Sequence, residues 1–362
     1  MLSTLNCAIC DKLSKCYLLA RHRELSAVSS IPLCMPRFVV PANANLHCAK
    51  SFIEAENRAF EDKSKTAVLE FHPRWVHVEP IALSMMAAWG AWCRRKGYSV
   101  RAKNLGKQAA YAARMKVFQY LGVDFNPGVT EHEEAGRFLP VTQVKRQEDA
   151  TAVIANISAI LHLESDPESL AAVQYCISEL LRNVLEHSNS PDGAFVSAHR
   201  FVEHGPHRVA IAVADCGQGI TAHLGKVRPE AADDDELALG LAMQPGVTGA
   251  RRDMYGTPEN AGAGLFITRC IAKGTGGYFL LLSGAAAYRL RRARSANDMI
   301  ALHADPYDDD RGDRWNFAQP WQGTVAAVEI RTETIPDYDN FFQWIFKQIP
   351  SRKAVTRKIK FT

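Results

Sequence analysis

The feature that most constrains this chain is an amphipathic helix with three polar side chains along one face. Residues Ser169 to His187 (SLAAVQYCISELLRNVLEH) place apolar residues at helical spacing, so the segment predicts a helix with one buried stripe. Glu179, Asn183 and His187 recur every four residues and therefore share a face at the border of that stripe. Because an asparagine near a core must find hydrogen-bond partners, the pattern predicts that polar groups lie against this face.

Two glycine-containing segments follow the helix. Arg208 to Ala214 (RVAIAVA) predicts a strand that runs into the sequence DCGQG, and its alternating glycines allow a tight turn that a planar ligand can approach closely. Further on, Asn260 to Leu265 (NAGAGL) opens a helical run, so backbone N–H groups at the helix start would face an incoming anion. Further strands are expected at Tyr278 to Ser283 and, after a long polar insertion, at Thr324 to Ile330.

Taken together, these motifs resemble the GHKL family of ATP-binding domains, which includes anti-sigma-factor kinases, sensor histidine kinases, gyrase-type ATPases and Hsp90-like chaperones. SELLRNVLEHS is similar to the N box of that family, DCGQG to its first glycine box and NAGAGL to its second. The pair Gly323 and Thr324 is similar to its last motif before a sheet strand. The likeness covers about residues 150 to 332, and four ordered features are jointly specific. It implies an α+β fold, a two-layer α/β sandwich, that binds ATP with Mg²⁺.

The resemblance also implies roles for individual residues. Asn183 would hold the Mg²⁺ that bridges the nucleotide phosphates, Asp215 would accept a hydrogen bond from the adenine amino group, and Glu179 would act as the general base. The other residues that it assigns to cofactor binding are Gly217, Gly219, Gly262, Gly264, Leu265 and Thr324. His187 could tune Glu179 or Asn183, or it could be a structural histidine.

The segment between the two glycine boxes, Thr221 to Glu259, would be the ATP lid of such a domain. Its glycines and its lack of a continuous apolar face suit a mobile segment that nucleotide orders. Arg251 and Arg252 could reach phosphates or be solvated. Three residues after Asn183, where kinases of the family often have a basic phosphate contact, this chain has Glu186. The resemblance therefore supports nucleotide binding more firmly than turnover.

The N-terminal half predicts a second unit. Strands are expected at Lys65 to Phe71 and Tyr98 to Lys103, and helices at Pro80 to Lys96 and Gln108 to Leu121, which implies a small α/β domain. The order resembles a STAS domain, the fold of anti-sigma-factor antagonists. Those antagonists carry a phosphorylatable Ser or Thr at the start of the first helix. This chain has Glu79 there, so the alternative is a docking or dimerising module without chemistry.

Cysteines are concentrated near the N-terminus, where five of the nine fall within the first 48 residues. Cys7, Cys10 and Cys16 form a C-x2-C-x5-C cluster with Cys34 and Cys48 downstream, so the leader could supply thiolates for a zinc or iron–sulfur site. The alternative is a set of scattered free thiols. The boundaries expected from these patterns are 1–50 for a cysteine-rich leader, 51–130 for the STAS-like domain, 131–150 for a linker with one strand, 151–345 for the ATP-binding domain and 346–362 for a basic tail.

Charge and hydropathy do not point to a nucleic-acid or membrane protein. The 43 basic and 39 acidic side chains nearly balance, so net charge does not indicate a nucleic-acid or membrane-surface protein. No apolar run is long enough to cross a bilayer, and we expect a cytoplasmic protein. Five cations in the tail could contact nucleic-acid phosphates, although a solvated basic terminus is the commoner case. They are Arg352, Lys353, Arg357, Lys358 and Lys360.

The function expected from the sequence is an ATP- and Mg²⁺-binding regulator. It would use nucleotide binding or slow hydrolysis, or protein-serine phosphorylation, to switch its interaction with a protein partner. The sequence is also compatible with a homodimer. The alternatives are a non-catalytic nucleotide-binding interaction protein and a nucleic-acid-associated ATPase of the GHKL class. The same kind of ATP site serves kinases, chaperones and topoisomerases, so the resemblance alone does not choose among them.

Overall fold

The computed structural model describes residues 36–54, 65–128, 137–161, 163, 166–202, 207–247, 262–292, 304–307, 310–334, 340, 343 and 345. These residues form a mixed α/β fold with both parallel and antiparallel sheets, which is compatible with the α+β class expected from the sequence.

The strands and helices alternate along the first half of the chain, and the longest strands lie near the end. The strands are β1 (Arg37–Val40), β2 (Asn43–Ala44), β3 (Thr66–Phe71), β4 (His77–Val78), β5 (Ser99–Lys103), β6 (Phe138–Val144), β7 (Ala194–Phe201), β8 (Arg208–Asp215), β9 (Tyr278–Leu290) and β10 (Gly312–Arg331). The helices are α1 (Ala49–Glu54), α2 (Pro80–Arg95), α3 (Ala110–Arg114), α4 (Val117–Leu121), α5 (Gln147–Leu161), α6 (Pro167–His187), α7 (Gly219–Leu224), α8 (Asp235–Ala242) and α9 (Gly264–Gly274).

The larger sheet has five antiparallel strands in the order β6-β7-β8-β10-β9. Its strands alternate side chains between two faces. On one face, Ile211 and Val213 of β8 pack in a core shared with apolar residues of α5, α6 and α9. On the other face, Ala212 and Ala214 pack in a second core that is shared with α2.

Helix α2 lies between the larger sheet and a three-stranded parallel sheet in the order β1-β3-β5. Thirteen of its 16 residues are buried, because both sides of the helix meet a sheet. A polar contact fixes its position: the hydroxyls of Ser84 on α2 and Ser197 on β7 lie 2.8 Å apart, and Ser84 also donates to the Ala212 carbonyl. The predicted STAS-like unit is thus packed against the larger sheet through its central helix.

Two expected boundaries differ from the structure. Strand β1 pairs in parallel with β3, so residues 37–40 of the expected leader belong to the small sheet. The expected linker, 131–150, contains β6, an edge strand of the larger sheet, and the start of α5. Pro140 is tolerated in this strand because the strand lies at an edge, and the β6–β7 pairing shifts register between Leu139 and Thr142.

Three expected elements also differ. The helix expected over 108–121 is interrupted at Lys116, whose φ of 59° ends α3 before α4 begins. Strand β9 continues past Ser283 to Leu290 and β10 begins at Gly312, so both strands extend into the expected polar insertion, of which residues 293–303 and 308–309 lie outside the described residues. The first part of the expected lid folds into α7 and α8, and α8 buries Leu239 in the core, while residues 248–261 lie outside the described residues.

Candidate functional site

Helix α6 carries the face that sequence analysis singled out. The Asp166 side chain caps the helix by accepting from the Ser169 N–H, and Pro167 occupies the first turn, where its missing N–H costs nothing. Glu179 and Asn183 are four residues apart, or about 6 Å along the helix axis. The Glu179 side chain lies against the start of α9, where a Cβ at Gly264 would overlap its carboxylate. The glycine lets the Glu179 carboxylate lie close to the backbone at the start of α9.

The first glycine turn packs against the other end of α6. The Gln218 N–H donates to the Ser188 carbonyl at 2.7 Å, and its side-chain Nε2 donates to the His187 carbonyl at 2.6 Å. A Cβ at Gly217 would overlap the Ser188 carbonyl oxygen. One face of α6 thus runs from the second glycine box, at Glu179, to the first glycine turn, at its C-terminus.

Asp215 ends the central strand β8 and is completely buried. Its Oδ1 accepts the Gly217 N–H at 2.7 Å, which fixes the carboxylate against the turn. Its carbonyl accepts the indole N–H of Trp321 at 3.1 Å. Because side chains alternate along a strand, Asp215 shares the face of Val213, which is the face that α6 and α9 cover.

Two hydroxyls lie near the same strand end. The side chain of Thr324 falls on the face of Ala326 and Val328, which pack with the α6 and α9 core. The Ser283 hydroxyl lies 3.4 Å from that of Thr324 and accepts the Ile220 N–H at 2.8 Å. Ser283 belongs to none of the sequence motifs, and the signal that could have found it is its position as the hydroxyl that ends the apolar run YFLLLS.

Asn183 stands between the two glycine turns and is half-buried. Within the described part of the chain its Nδ2 is buried and has no hydrogen-bond partner. A buried amide without a partner costs free energy, which a bound ligand would recover. Its amide group can offer an oxygen to a cation and a nitrogen to a phosphate oxygen.

The Glu179 side chain is buried and already accepts a hydrogen bond within α6. Its carboxylate, 8% exposed, accepts a hydrogen bond from the Arg182 guanidinium one turn along α6. The side chain of Glu186 is half-exposed and lies one turn beyond Asn183. The Arg182 contact engages Oε2, one of the two oxygens with which Glu179 could accept a proton as a general base.

His187 forms a stacked pair with His223 of α7. The ring centroids are 4.5 Å apart and the planes differ by 24°. Burial, followed by the charge of His187, lowers the pKa of His223 to about 4, so this ring is neutral at pH 7. The pairing favours the structural interpretation of His187.

The second glycine box is described only from Gly262 onward. Gly264 begins α9, whose first turn receives no side-chain cap, and Leu265 packs partly into the α6 core. Asn260, Arg251 and Arg252 lie outside the described residues, as do Cys7, Cys10, Cys16, Cys34 and the basic tail.

The described residues contain neither a cluster typical of a metal site nor a helix typical of a membrane span. Within the described residues, no group of three or more His, Cys, Asp or Glu side chains is arranged to hold a metal ion. None of the helices in the described ranges has both the length and the apolar character needed to span a bilayer.

Comparison with known proteins adds nothing to this geometry. No protein-family model matches the chain, and a search of curated proteins gives no match.

Proposed function

We propose that this protein binds ATP with Mg²⁺ on the helix-covered face of the larger sheet, in the manner of a GHKL-type regulator. The observation that carries the proposal is the continuous face of α6, which joins the start of α9 to the turn after Asp215. A nucleotide needs a polar group for its base and N–H groups for its phosphates, and these two features flank one helix face here.

Each residue on this face has a role that its surroundings support. The fixed carboxylate of Asp215 would accept a hydrogen bond from the adenine amino group, with Gly217 and Gly219 allowing close approach of the base. The first turn of α9, without a side-chain cap, would hold phosphate oxygens. The partnerless Nδ2 of Asn183 fits a site that a phosphate and its Mg²⁺ would complete.

Turnover depends on Glu179. Bound Mg²⁺ would supply charge neutralisation at the phosphates. The ion pair with Arg182 favours slow hydrolysis, or binding without hydrolysis, because it engages the carboxylate that would act as base. Incubation with labelled ATP separates the outcomes: label on protein indicates a kinase, free phosphate an ATPase, and neither a binding protein.

The switched partner would be another protein. Helix α2 is buried between two sheets, so the two halves of the chain cannot separate without exposing a core. A nucleotide signal would therefore act through local surfaces, such as the first glycine turn, rather than through domain opening.

Calorimetric titration with ATP and Mg²⁺ tests the proposal. We expect saturable binding by wild type and at least about tenfold weaker binding by Asn183→Ala, the loss expected for a hydrogen bond to a charged group. Gln174→Ala is the matched control, because this amide lies nine residues earlier on the opposite side of α6 and bonds to Ile154. Equal affinities for both variants, or no binding by wild type at millimolar ATP, would contradict the proposal.

A further inference from the structure

A cavity lies across the first glycine turn from Asp215. Its volume is about 620 Å³, and the residues 216–218 form part of its wall. The Cys216 side chain points toward α2, where its Sγ lies 3.4 Å from the Ala88 carbonyl oxygen. Because Asp215 and Cys216 are consecutive, their side chains face opposite sides of the sheet, so the cavity and the proposed nucleotide site lie on opposite sides of a turn whose Gly217 borders both.

The cavity is lined by positive charge. Lys65, Arg95 and Lys96 contribute to its wall, and no aspartate or glutamate is among the described residues that line it. Asp192, outside the lining, pairs with Arg95 at 2.8 Å and neutralises one of the three cations. The remaining excess of positive charge in a concave site attracts anions.

Two aromatic residues complete the wall on the α2 side. Trp92 and Tyr98 line the cavity, although exposures of 5% and 4% mean that each presents only a small part of its surface. The Lys65 Nζ stands 4.8 Å from the centre of the Tyr98 ring, a cation–π contact that holds this ammonium at the rim. A ligand here would meet both charge and a small apolar surface.

The opposite wall is held in one conformation by hydrogen bonds. In the loop 188–193, the Ser190 N–H donates to the Ser188 hydroxyl at 3.0 Å, and Asn189 adopts a left-handed φ of 49°. The Gln143 side chain donates to the Asp192 carbonyl at 2.8 Å and braces the same loop against β6. A wall that is already ordered loses little entropy when a ligand binds.

We propose that this cavity binds a small organic phosphate. Its phosphate would be held by the ammonium groups of Lys65 and Lys96 and by Arg95, since a phosphomonoester carries close to two negative charges and accepts several hydrogen bonds. Its organic part would lie along the edges of Trp92 and Tyr98. The volume of about 620 Å³ falls within the roughly 300–1,000 Å³ of small-molecule sites. This inference does not depend on ATP binding at Asp215.

Titration of the full-length protein with phenyl phosphate, followed by calorimetry, tests the inference. We expect a dissociation constant of about 1 mM or tighter. Lys96→Ala and Lys65→Ala should each weaken it about tenfold, as expected for a lost hydrogen bond between charged groups. Lys103→Ala is the matched control, an exposed lysine at the end of β5 that does not line the cavity. Inorganic phosphate should bind more weakly than phenyl phosphate, because it lacks the ring.

Three results would overturn the inference. They are the absence of saturable binding, an equal loss in Lys103→Ala, and a loss in Asn183→Ala without one in Lys96→Ala. The last result would mean that phenyl phosphate occupies the proposed nucleotide site. Failure of ATP to bind would leave the expected phenyl phosphate results unchanged, so the two proposals can fail separately.

Discussion

A buried ion network holds the N-terminal half on the larger sheet, and removal of its central arginine should destabilise the protein strongly. Arg208 of β8 pairs with Glu79 at 2.9 Å and with Glu329 at 2.8 Å. The two carboxylates are 2% and 0% exposed. Arg208→Met keeps an apolar stem of similar length but removes the guanidinium that pairs with Glu79, and the His77 ring stays 3.5 Å from that carboxylate.

The expected cost is about 3–5 kcal/mol in the free energy of unfolding, because loss of one partner leaves a buried charge uncompensated. Arg314→Met is the control. Its pair with Glu236 is exposed, with 52% and 38% of the side chains accessible, so we expect a loss of at most about 1 kcal/mol. Urea denaturation at pH 7, followed by tryptophan fluorescence, measures both variants.

The pH dependence gives a second readout for this network. Burial alone would raise the pKa of Glu79, but the hydrogen bond from His77 and the charge of Arg208 outweigh it and hold the pKa below its usual range. The stability that this group contributes is therefore present above its unfolded pKa of about 4.3 and is lost as pH falls further. In Arg208→Met, protonation of Glu79 relieves the buried charge.

The difference in the free energy of unfolding between wild type and Arg208→Met should accordingly become smaller as the pH falls from 7 to about 4. A loss in Arg208→Met no larger than in Arg314→Met, or a gap that stays constant with pH, would refute this reasoning.

Two further predictions concern the glycine turn and a buried histidine. Gly217→Ala should cost about 1–3 kcal/mol and weaken ATP binding, because the new Cβ would overlap the Ser188 carbonyl oxygen and displace the turn. Gly246→Ala is the control, because Gly246 has a φ of 79° and nothing lies within 4 Å of the position that a Cβ would take there. Backbone strain should lower its free energy of unfolding by only about 1 kcal/mol, and its ATP affinity should not change. Equal ATP affinities in the two variants would contradict the proposed site. Burial lowers the pKa of His199 to about 4, and its Nδ1 lies 2.7 Å from the Tyr111 hydroxyl oxygen. An NMR titration should give a midpoint near that value rather than near 6.5, and stability should decline as pH falls from about 6.5 toward 4, because only the unfolded chain gains a proton there.

Local patterns were sufficient for the elements that carry the candidate site. Helical spacing predicted α6, and the apolar run before DCGQG predicted β8 and its turn. Both elements can be predicted from short stretches of sequence, because an amphipathic period and a glycine turn each depend on residues close together in the chain. The packing of Glu179 against Gly264 and of Gly217 against Ser188 joins residues distant in sequence, and only the fold brings them together.

The remaining features depend on long-range packing. Helix α2 is apolar on all sides because it lies between two sheets. The sequence IALSMMAAWGAW shows this apolar character, but it does not show which two sheets cover the helix. The sequence predicts one strand within residues 131–150, but the place of β6 at the edge of the larger sheet, where Pro140 is tolerated, depends on its pairing with β7. Ser283 joins the site through a strand pairing with β10 that local sequence does not encode.

The most direct test of the central claim is a crystal structure of the protein with Mg²⁺ and a non-hydrolysable ATP analogue. We predict that the adenine amino group will donate to Asp215, that the Mg²⁺ will lie beside Asn183, and that the phosphates will meet the first turn of α9. A nucleotide bound elsewhere, such as in the basic cavity beside Lys96, or a pocket that stays empty at millimolar analogue, would contradict the account.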